Sequence, residues 1–154
     1  MNWDEYFMSL AYQIAFKSKD ASTKVGCVIV GPDNEIRTTG YNSFPRGIND
    51  DVPERQERPE KYKWIEHSER NAIYNAARVG IPLKGCRIYL PWIPCTDCAR
   101  AIINVGITKI IVDDRPNNPW KSPERMSRWK DDMNRSLKML SEAGVEIQYW
   151  GTDK

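Results

Sequence analysis

The chain has 154 residues, with 23 Lys and Arg against 21 Asp and Glu, a net charge of +2. At about 150 residues per domain, we expect a single domain over residues 1–154. The near-neutral charge argues against a protein whose main partner is a polynucleotide, since such proteins carry a strong basic patch. No apolar stretch approaches the roughly 20 residues of a membrane span, and the N-terminus lacks a secretory signal pattern. We therefore expect a cytoplasmic location without membrane attachment.

The apolar pattern predicts helices and strands that alternate along the chain. Trp3, Phe7, Leu10 and Ile14 fall at helical spacing and predict an N-terminal helix. The later predicted elements are strands at 25–30 and 35–41, a helix at 66–79, a strand at 86–90, a helix at 94–105, a strand at 107–112, a helix at 126–140 and a strand at 145–149. This order indicates an α/β fold in three α/β/α layers around a five-stranded mixed sheet, largely parallel after an antiparallel opening hairpin.

Two segments interrupt this pattern. Residues 42–62 contain three prolines and a dense mixture of charges, which indicates a long loop or insertion rather than a core element. Residues 114–123 are rich in Pro and Asn and predict a second loop.

The chain has a single histidine, His67, and four cysteines. Cys95 and Cys98 form a Cys-x-x-Cys at the start of one predicted helix, and His67 lies at the start of the preceding one. Ligands of α/β sheets bind at the strand ends, where such helix starts gather, so these residues could bind one metal ion. One His and two Cys leave a fourth position open, as in catalytic zinc sites. Cys27 and Cys86 lie in strand patterns and are expected in the core.

Glu69, two residues after His67, is the natural proton carrier beside a metal-bound water. Taken alone, a Cys-x-x-Cys could be a redox pair or half of a structural site, and a lone His is usually structural. The combination of His-x-Glu and Pro-Cys-x-x-Cys, with a strand between them, is instead typical of zinc-dependent nucleobase deaminases.

Over most of its length the sequence resembles the deoxycytidylate (dCMP) deaminases of the cytidine deaminase superfamily. Five stretches carry the resemblance: Ser22-Thr23-Lys24-Val25-Gly26, Gly40-Tyr41-Asn42, Phe44-Pro45-Arg46-Gly47, Glu66-His67-Ser68-Glu69-Arg70-Asn71-Ala72-Ile73 and Pro94-Cys95-Thr96-Asp97-Cys98-Ala99. The metal motif marks the superfamily. The Gly-Tyr-Asn…Pro-Arg-Gly stretch and the insertion before the His point to dCMP deaminases, because the short-looped tRNA adenosine deaminases lack such an insertion.

The resemblance implies a cytidine-deaminase-like fold and one Zn²⁺ per chain, bound by His67, Cys95 and Cys98. It implies that zinc-bound hydroxide attacks C4 of dCMP while Glu69 shuttles the proton, which yields dUMP and ammonia. Asn42 is implied near the substrate sugar, or in a regulatory nucleotide site built on the same loop. The family further implies a homo-oligomer activated by dCTP and inhibited by dTTP, with Mg²⁺ accompanying a regulatory triphosphate.

The sequence departs from the family pattern in three places. Ser68 replaces the usual Ala between the His and the Glu, and we expect little change from so small a residue. The insertion has no Cys or His for a second, structural zinc. Residues 114–128 do not match the best-known family members.

The substrate contacts are predicted from the loops. A 5′-phosphate needs local cations, and Lys24, Arg46, Arg115 and Lys121 lie on or next to loops that could reach the site. Trp92, two residues before Pro94, is the candidate wall of the base pocket.

Three other functions fit parts of the pattern. One is a related deaminase acting on cytidine, dCTP, guanine or a tRNA adenosine, the last weakened by the near-zero net charge. Another is a non-catalytic zinc module that binds nucleotide or protein, although a structural site has no use for a carboxylate that is not a ligand. The third is a competence or regulatory protein that carries a deaminase domain.

Overall fold

Five strands form one mixed sheet in the computed structural model, which describes residues 1–152. The strands are β1 (Gly26–Val30), β2 (Ile36–Tyr41), β3 (Arg87–Leu90), β4 (Lys109–Asp113) and β5 (Glu146–Trp150). Their order in the sheet is β2-β1-β3-β4-β5. β1 runs antiparallel to both β2 and β3, whereas β3, β4 and β5 are parallel. The mixed sheet and its opening hairpin are confirmed, but only half of the strand pairs are parallel.

Helices cover both faces of this sheet. They are α1 (Trp3–Ala15), α2 (Lys61–Trp64), α3 (Ser68–Val79), α4 (Thr96–Asn104), α5 (Pro123–Arg128) and α6 (Lys130–Glu142). On one face, Phe7, Met8 and Ala11 of α1 pack on side chains such as Val28 and Tyr89. On the other face, α3, α4 and α6 enclose a larger apolar core. The predicted three-layer α/β/α architecture is confirmed.

Glycine allows α3 to approach the sheet closely. A Cβ atom at Gly40 of β2 would lie 2.5 Å from the backbone nitrogen of Ala72, too close for any side chain. The N-terminal half of α3 therefore lies directly on β2. Because His67 immediately precedes this helix, the same contact positions the start of the predicted site.

The two interrupting segments contain short helices that periodicity did not predict. Residues 42–62 are mostly irregular but include a 3₁₀ turn, Pro53–Gln56, and run into α2. The helix predicted at 126–140 is two helices, α5 and α6, because Trp129 leaves the helical conformation at φ −103° and ψ 9°. No helix within residues 1–152 is long and apolar enough to cross a membrane.

Candidate active site

The predicted metal ligands meet at two adjacent helix starts. His67 is the N-cap of α3 and Cys95 is the N-cap of α4, with Cys98 in the first turn of α4. His67 Nδ1 lies 3.4 Å from the Sγ atoms of both Cys95 and Cys98. All three donor atoms lie within 4.8 Å of one another. The fold therefore brings together residues that are about 30 positions apart in the chain.

This donor set fits zinc. A tetrahedral zinc ion with bonds of about 2.3 Å to sulfur and about 2.0 Å to nitrogen separates its S and N ligands by about 3.5 Å. The two 3.4 Å separations match this distance. Thiolates and imidazole are also the ligands that zinc prefers. Within residues 1–152, no other group of His, Cys, Asp or Glu side chains has metal-site spacing, so the site offers three protein ligands and one open position.

The cysteine thiols differ in acidity. Hydrogen bonds from Cys98 and His67 lower the pKa of Cys95 to about 5. The hydrogen bond to Cys95 and burial raise the pKa of Cys98 above its usual value. The contact with Cys95 also raises the pKa of His67. The cluster thus favours one thiolate, and a metal ion that binds both sulfurs releases the remaining protons.

Glu69 lies in the first turn of α3 and is 7% exposed. One carboxylate oxygen, Oε1, accepts a 2.6 Å hydrogen bond from the hydroxyl of Ser68, which is fully buried. Glu69 is not part of the ligand cluster. Ser68, expected to be a neutral replacement for Ala, therefore contacts the carboxylate directly.

A cavity of about 210 Å³ connects these residues to the surface. We call His67, Ser68, Glu69 and Cys95 its floor. A rim of larger side chains surrounds the opening, and it consists of Arg58, Tyr62, Trp120, Arg125 and Trp129. Trp92 lines the wall between them, and its indole nitrogen is buried without a partner within residues 1–152. The lining surface is thus mostly apolar and aromatic, with polar side chains at the floor and two arginines at the rim.

A buried ion pair joins the start of α2 to the loop that precedes β1. Lys61 Nζ lies 2.8 Å from Asp20 Oδ1, and the two residues are 7% and 6% exposed. Asn42 donates from Nδ2 to Asp20 Oδ2 at 3.2 Å and to the Thr23 carbonyl at 2.8 Å. Its Oδ1 accepts from the backbone N–H of Val25. The side chains of Asp20, Asn42 and Lys61 all line the cavity.

Comparison with known proteins agrees with this geometry. The family model of the cytidine and deoxycytidylate deaminase zinc-binding region matches residues 1–113, most of the chain. The chain belongs to this family.

Relatives of this deaminase family align over different lengths. The human deoxycytidylate deaminase is 40% identical over 116 residues, which make up 72% of this chain and 64% of the human protein. The chain thus spans less than two thirds of that relative. An uncharacterized deaminase of Aliivibrio fischeri, from the luxG 3′ region, is 36% identical over 151 residues, covering 98% of this chain and 95% of its own.

A solved structure shares the deaminase fold. The dCMP deaminase of cyanophage S-TIM5, in complex with dCMP and dUMP, superimposes with a TM-score of 0.71 over 94% of each chain at 21% identity. At this identity the similarity shows the architecture. The zinc-binding region of the family and the metal-site spacing of His67, Cys95 and Cys98 together support zinc in this chain.

The four basic residues predicted to bind the substrate phosphate do not reach the cavity. Lys24 is exposed, and Arg46 donates to Asn75 Oδ1 at 2.8 Å outside the cavity. Arg115 is turned away by an ion pair with Asp113 at 2.9 Å. Lys121 pairs with Asp114, and its Nζ lies 5.6 Å from the centroid of the Trp92 ring. None of the four lines the cavity.

Sequence reasoning missed six residues that line the cavity. Arg58, Lys61 and Tyr62 come from the insertion, and Trp120, Arg125 and Trp129 come from the segment between β4 and α6. The available signal was the concentration of aromatic and basic residues in these two segments. Nothing in their periodicity showed that both fold over the helix starts.

Proposed function

We propose that this chain is a zinc-dependent hydrolase that converts dCMP to dUMP and ammonia. The observation that carries the proposal is the buried Glu69 beside the His67, Cys95 and Cys98 donor set at the closed end of a cavity. The names of the human and phage relatives support a deoxycytidine nucleotide as the substrate.

In this proposal His67, Cys95 and Cys98 hold one zinc ion. When bound, zinc lowers the pKa of a coordinated water toward neutrality and supplies the oxygen nucleophile. Glu69 would accept a proton from the attacking water and deliver it to N3 of the cytosine, so that the water oxygen adds to C4. Glu69 then carries the second water proton to the departing amino group, which leaves as ammonia. The Ser68 hydrogen bond holds one carboxylate oxygen and orients the other for these transfers.

The same cavity would select a flat base. Trp92 forms one wall, and its aromatic face could stack on a pyrimidine ring. Asn42 is the proposed contact to the sugar. Its side-chain amide is already hydrogen bonded to Asp20, Thr23 and Val25, so it would offer the remaining lone pair of Oδ1.

We further propose regulation by dCTP and dTTP, with Mg²⁺ bound to the triphosphate, in a cytoplasmic homo-oligomer. Asn42 supports a regulatory role because it also lines a second, more polar cavity of about 600 Å³. That cavity contains Arg46 of the Pro-Arg-Gly stretch together with Lys17 and Lys19. Acidic side chains of Asp20, Asp50 and Glu66 line it as well, so basic residues are only slightly in excess. That excess, next to the substrate site, would favour an anionic effector.

The test is ammonia release by zinc-loaded protein with dCMP, dCTP, cytidine and deoxycytidine in parallel. We expect the highest kcat/KM for dCMP. Trace dCTP should raise the rate and dTTP should lower it. Turnover of the nucleosides without turnover of dCMP would overturn the assignment of substrate.

A further inference from the structure

We propose that Arg58 and Arg125 bind the 5′-phosphate of the substrate and so set a preference for nucleotides over nucleosides. This inference rests on the proposed function, because it takes the ligand to be a nucleotide whose base reaches Glu69. It assigns phosphate binding to two residues of the rim. The basic residues predicted from the sequence for this role, Lys24, Arg46, Arg115 and Lys121, do not line the cavity.

The two arginines approach the cavity from different segments. Arg58 belongs to the insertion before α3, and Arg125 belongs to α5. Each guanidinium lies near an aromatic ring of the rim. The distance to the ring centroid is 6.0 Å for Arg58 and Tyr62, and 4.4 Å for Arg125 and Trp120. A guanidinium beside a ring still presents its N–H edge, which matches two phosphate oxygens in a fork.

The guanidinium groups of Arg58 and Arg125 have no charged or hydrogen-bonding partner in the part of the cavity that the structure describes. Among residues 1–152, neither guanidinium forms an ion pair or donates a hydrogen bond. Every other charged side chain that contributes to the lining, apart from His67 and Cys95 of the metal cluster, already has a partner. These pairs are Asp20 with Lys61, Glu69 with Ser68, and Asp132 with Thr96. Ser68 and Thr96 are neutral, so Glu69 and Asp132 keep their negative charge. The two guanidinium groups at the rim are thus the cations of the lining that lack a partner among residues 1–152.

The difference in burial between floor and rim indicates how a nucleotide would be oriented in the cavity. Glu69 at the floor is 7% exposed, whereas Tyr62 at the rim is 55% exposed. The cavity of about 210 Å³ is smaller than typical ligand pockets, which measure roughly 300–1,000 Å³. It suits a base and part of a sugar. A nucleotide with its base at the floor thus places its phosphate outside the enclosed volume, beside the two arginines.

The first experiment compares substrates with and without the phosphate. We expect Arg58→Gln and Arg125→Gln each to lower kcat/KM for dCMP by about 10- to 100-fold, the usual effect of losing a charged hydrogen bond. Activity on deoxycytidine should stay within about twofold of the wild type, since the nucleoside lacks the phosphate. Arg58→Lys and Arg125→Lys should recover part of the loss because they keep the charge.

Arg128→Gln is the matched control. Arg128 lies on the same helix as Arg125, is exposed and does not line the cavity. It should leave both substrates unchanged. An equal loss on dCMP and deoxycytidine in the Gln variants, or no loss in the double variant, would overturn the proposal.

A binding experiment separates this inference from the proposed function. Calorimetry on zinc-loaded protein would compare dUMP with deoxyuridine, in the wild type and in the Arg58→Gln/Arg125→Gln variant. If the double variant binds dUMP more weakly than the wild type does but binds deoxyuridine equally well, the phosphate site is supported. This holds even if the wild type deaminates none of the tested cytosine compounds. That lack of activity would refute only the proposed function. Equal binding of dUMP by wild type and double variant would refute the phosphate site whatever the activity.

Discussion

The floor and the rim of the cavity are built in different ways. The floor side chains lie at the first turns of α3 and α4, and these helices pack on the buried sheet. The rim side chains come from the insertion and from the segment between β4 and α6, where regular elements are short. The side chains that need sub-ångström placement for chemistry are thus fixed by helices packed on the core. The side chains that would recognise the ligand lie on segments that can vary without disturbing that core.

One contact ties the insertion, which carries Arg58 and Tyr62 of the rim, to the rest of the fold. The buried pair of Lys61 and Asp20 ties α2, next to the rim, to the loop that enters β1. Asn42 hydrogen bonds to the same carboxylate. The insertion side of the rim is therefore anchored by a polar cluster, whereas the floor is anchored by apolar packing. Four predictions test this difference, in order of decreasing effect.

Removing a ligand should abolish the floor's function. We expect Cys95→Ser to reduce bound zinc from about one ion per chain to nearly none, because two protein ligands hold zinc poorly. Ammonia release should fall to background. Cys86→Ala is the control, since Cys86 is a buried core cysteine outside the cluster and its variant should keep its zinc. Metal analysis by mass spectrometry checks both, and full zinc occupancy in Cys95→Ser would exclude Cys95 as a ligand.

Glu69→Gln should separate metal binding from proton transfer. Zinc content should remain at the wild-type level, while kcat falls by about 10²- to 10⁴-fold, the usual contribution of a positioned acid or base. Glu124→Gln, at an exposed glutamate of α5, is the matched change without a floor contact. A Glu69→Gln protein with unchanged kcat would rule out the proton-transfer role.

Lys61→Met should weaken the anchor between the insertion and the loop that enters β1. Leaving Asp20 buried without its cation should lower the free energy of unfolding by about 3–5 kcal/mol. Lys63→Met is the control, because Lys63 lies on the same short helix but is exposed. Urea denaturation measures both. A loss below about 1 kcal/mol in Lys61→Met would show that the pair behaves like a surface ion pair.

Acid should release the same link. Burial raises the pKa of Asp20, but the Lys61 ammonium and the N–H groups of Ser22 and Thr23 outweigh it and hold that pKa below its ordinary value. The resulting stability is present above the unfolded-state pKa of about 3.9 and is lost as pH falls through the folded-state pKa.

Between pH 5 and 2, the free energy of unfolding of the wild type should therefore fall more steeply than that of Asp20→Asn, by up to about 1.4 kcal/mol per pH unit. Denaturation at several pH values, followed by circular dichroism, measures the two slopes. Parallel slopes would mean that Asp20 titrates normally in the folded protein.

Prediction from the sequence succeeded where local pattern and topology agree. His67, Glu69, Cys95 and Cys98 could be proposed as one cluster because each lies at a predicted helix start, and parallel α/β layers bring such starts together. It failed at the helix predicted over 126–140, which breaks at Trp129. It also directed attention to Arg115, although an adjacent carboxylate, Asp113, binds that side chain away from the cavity.

The sequence by itself determined the family, the alternation of strands and helices, and the residue types able to bind zinc and move a proton. These depend on short-range spacing, which periodicity and motif reveal. The tertiary structure decided which residues surround the opening, that Ser68 bonds Glu69, and that Lys61 is buried against Asp20. Those contacts join segments that lack periodicity or depend on side-chain direction, so only the folded chain shows them.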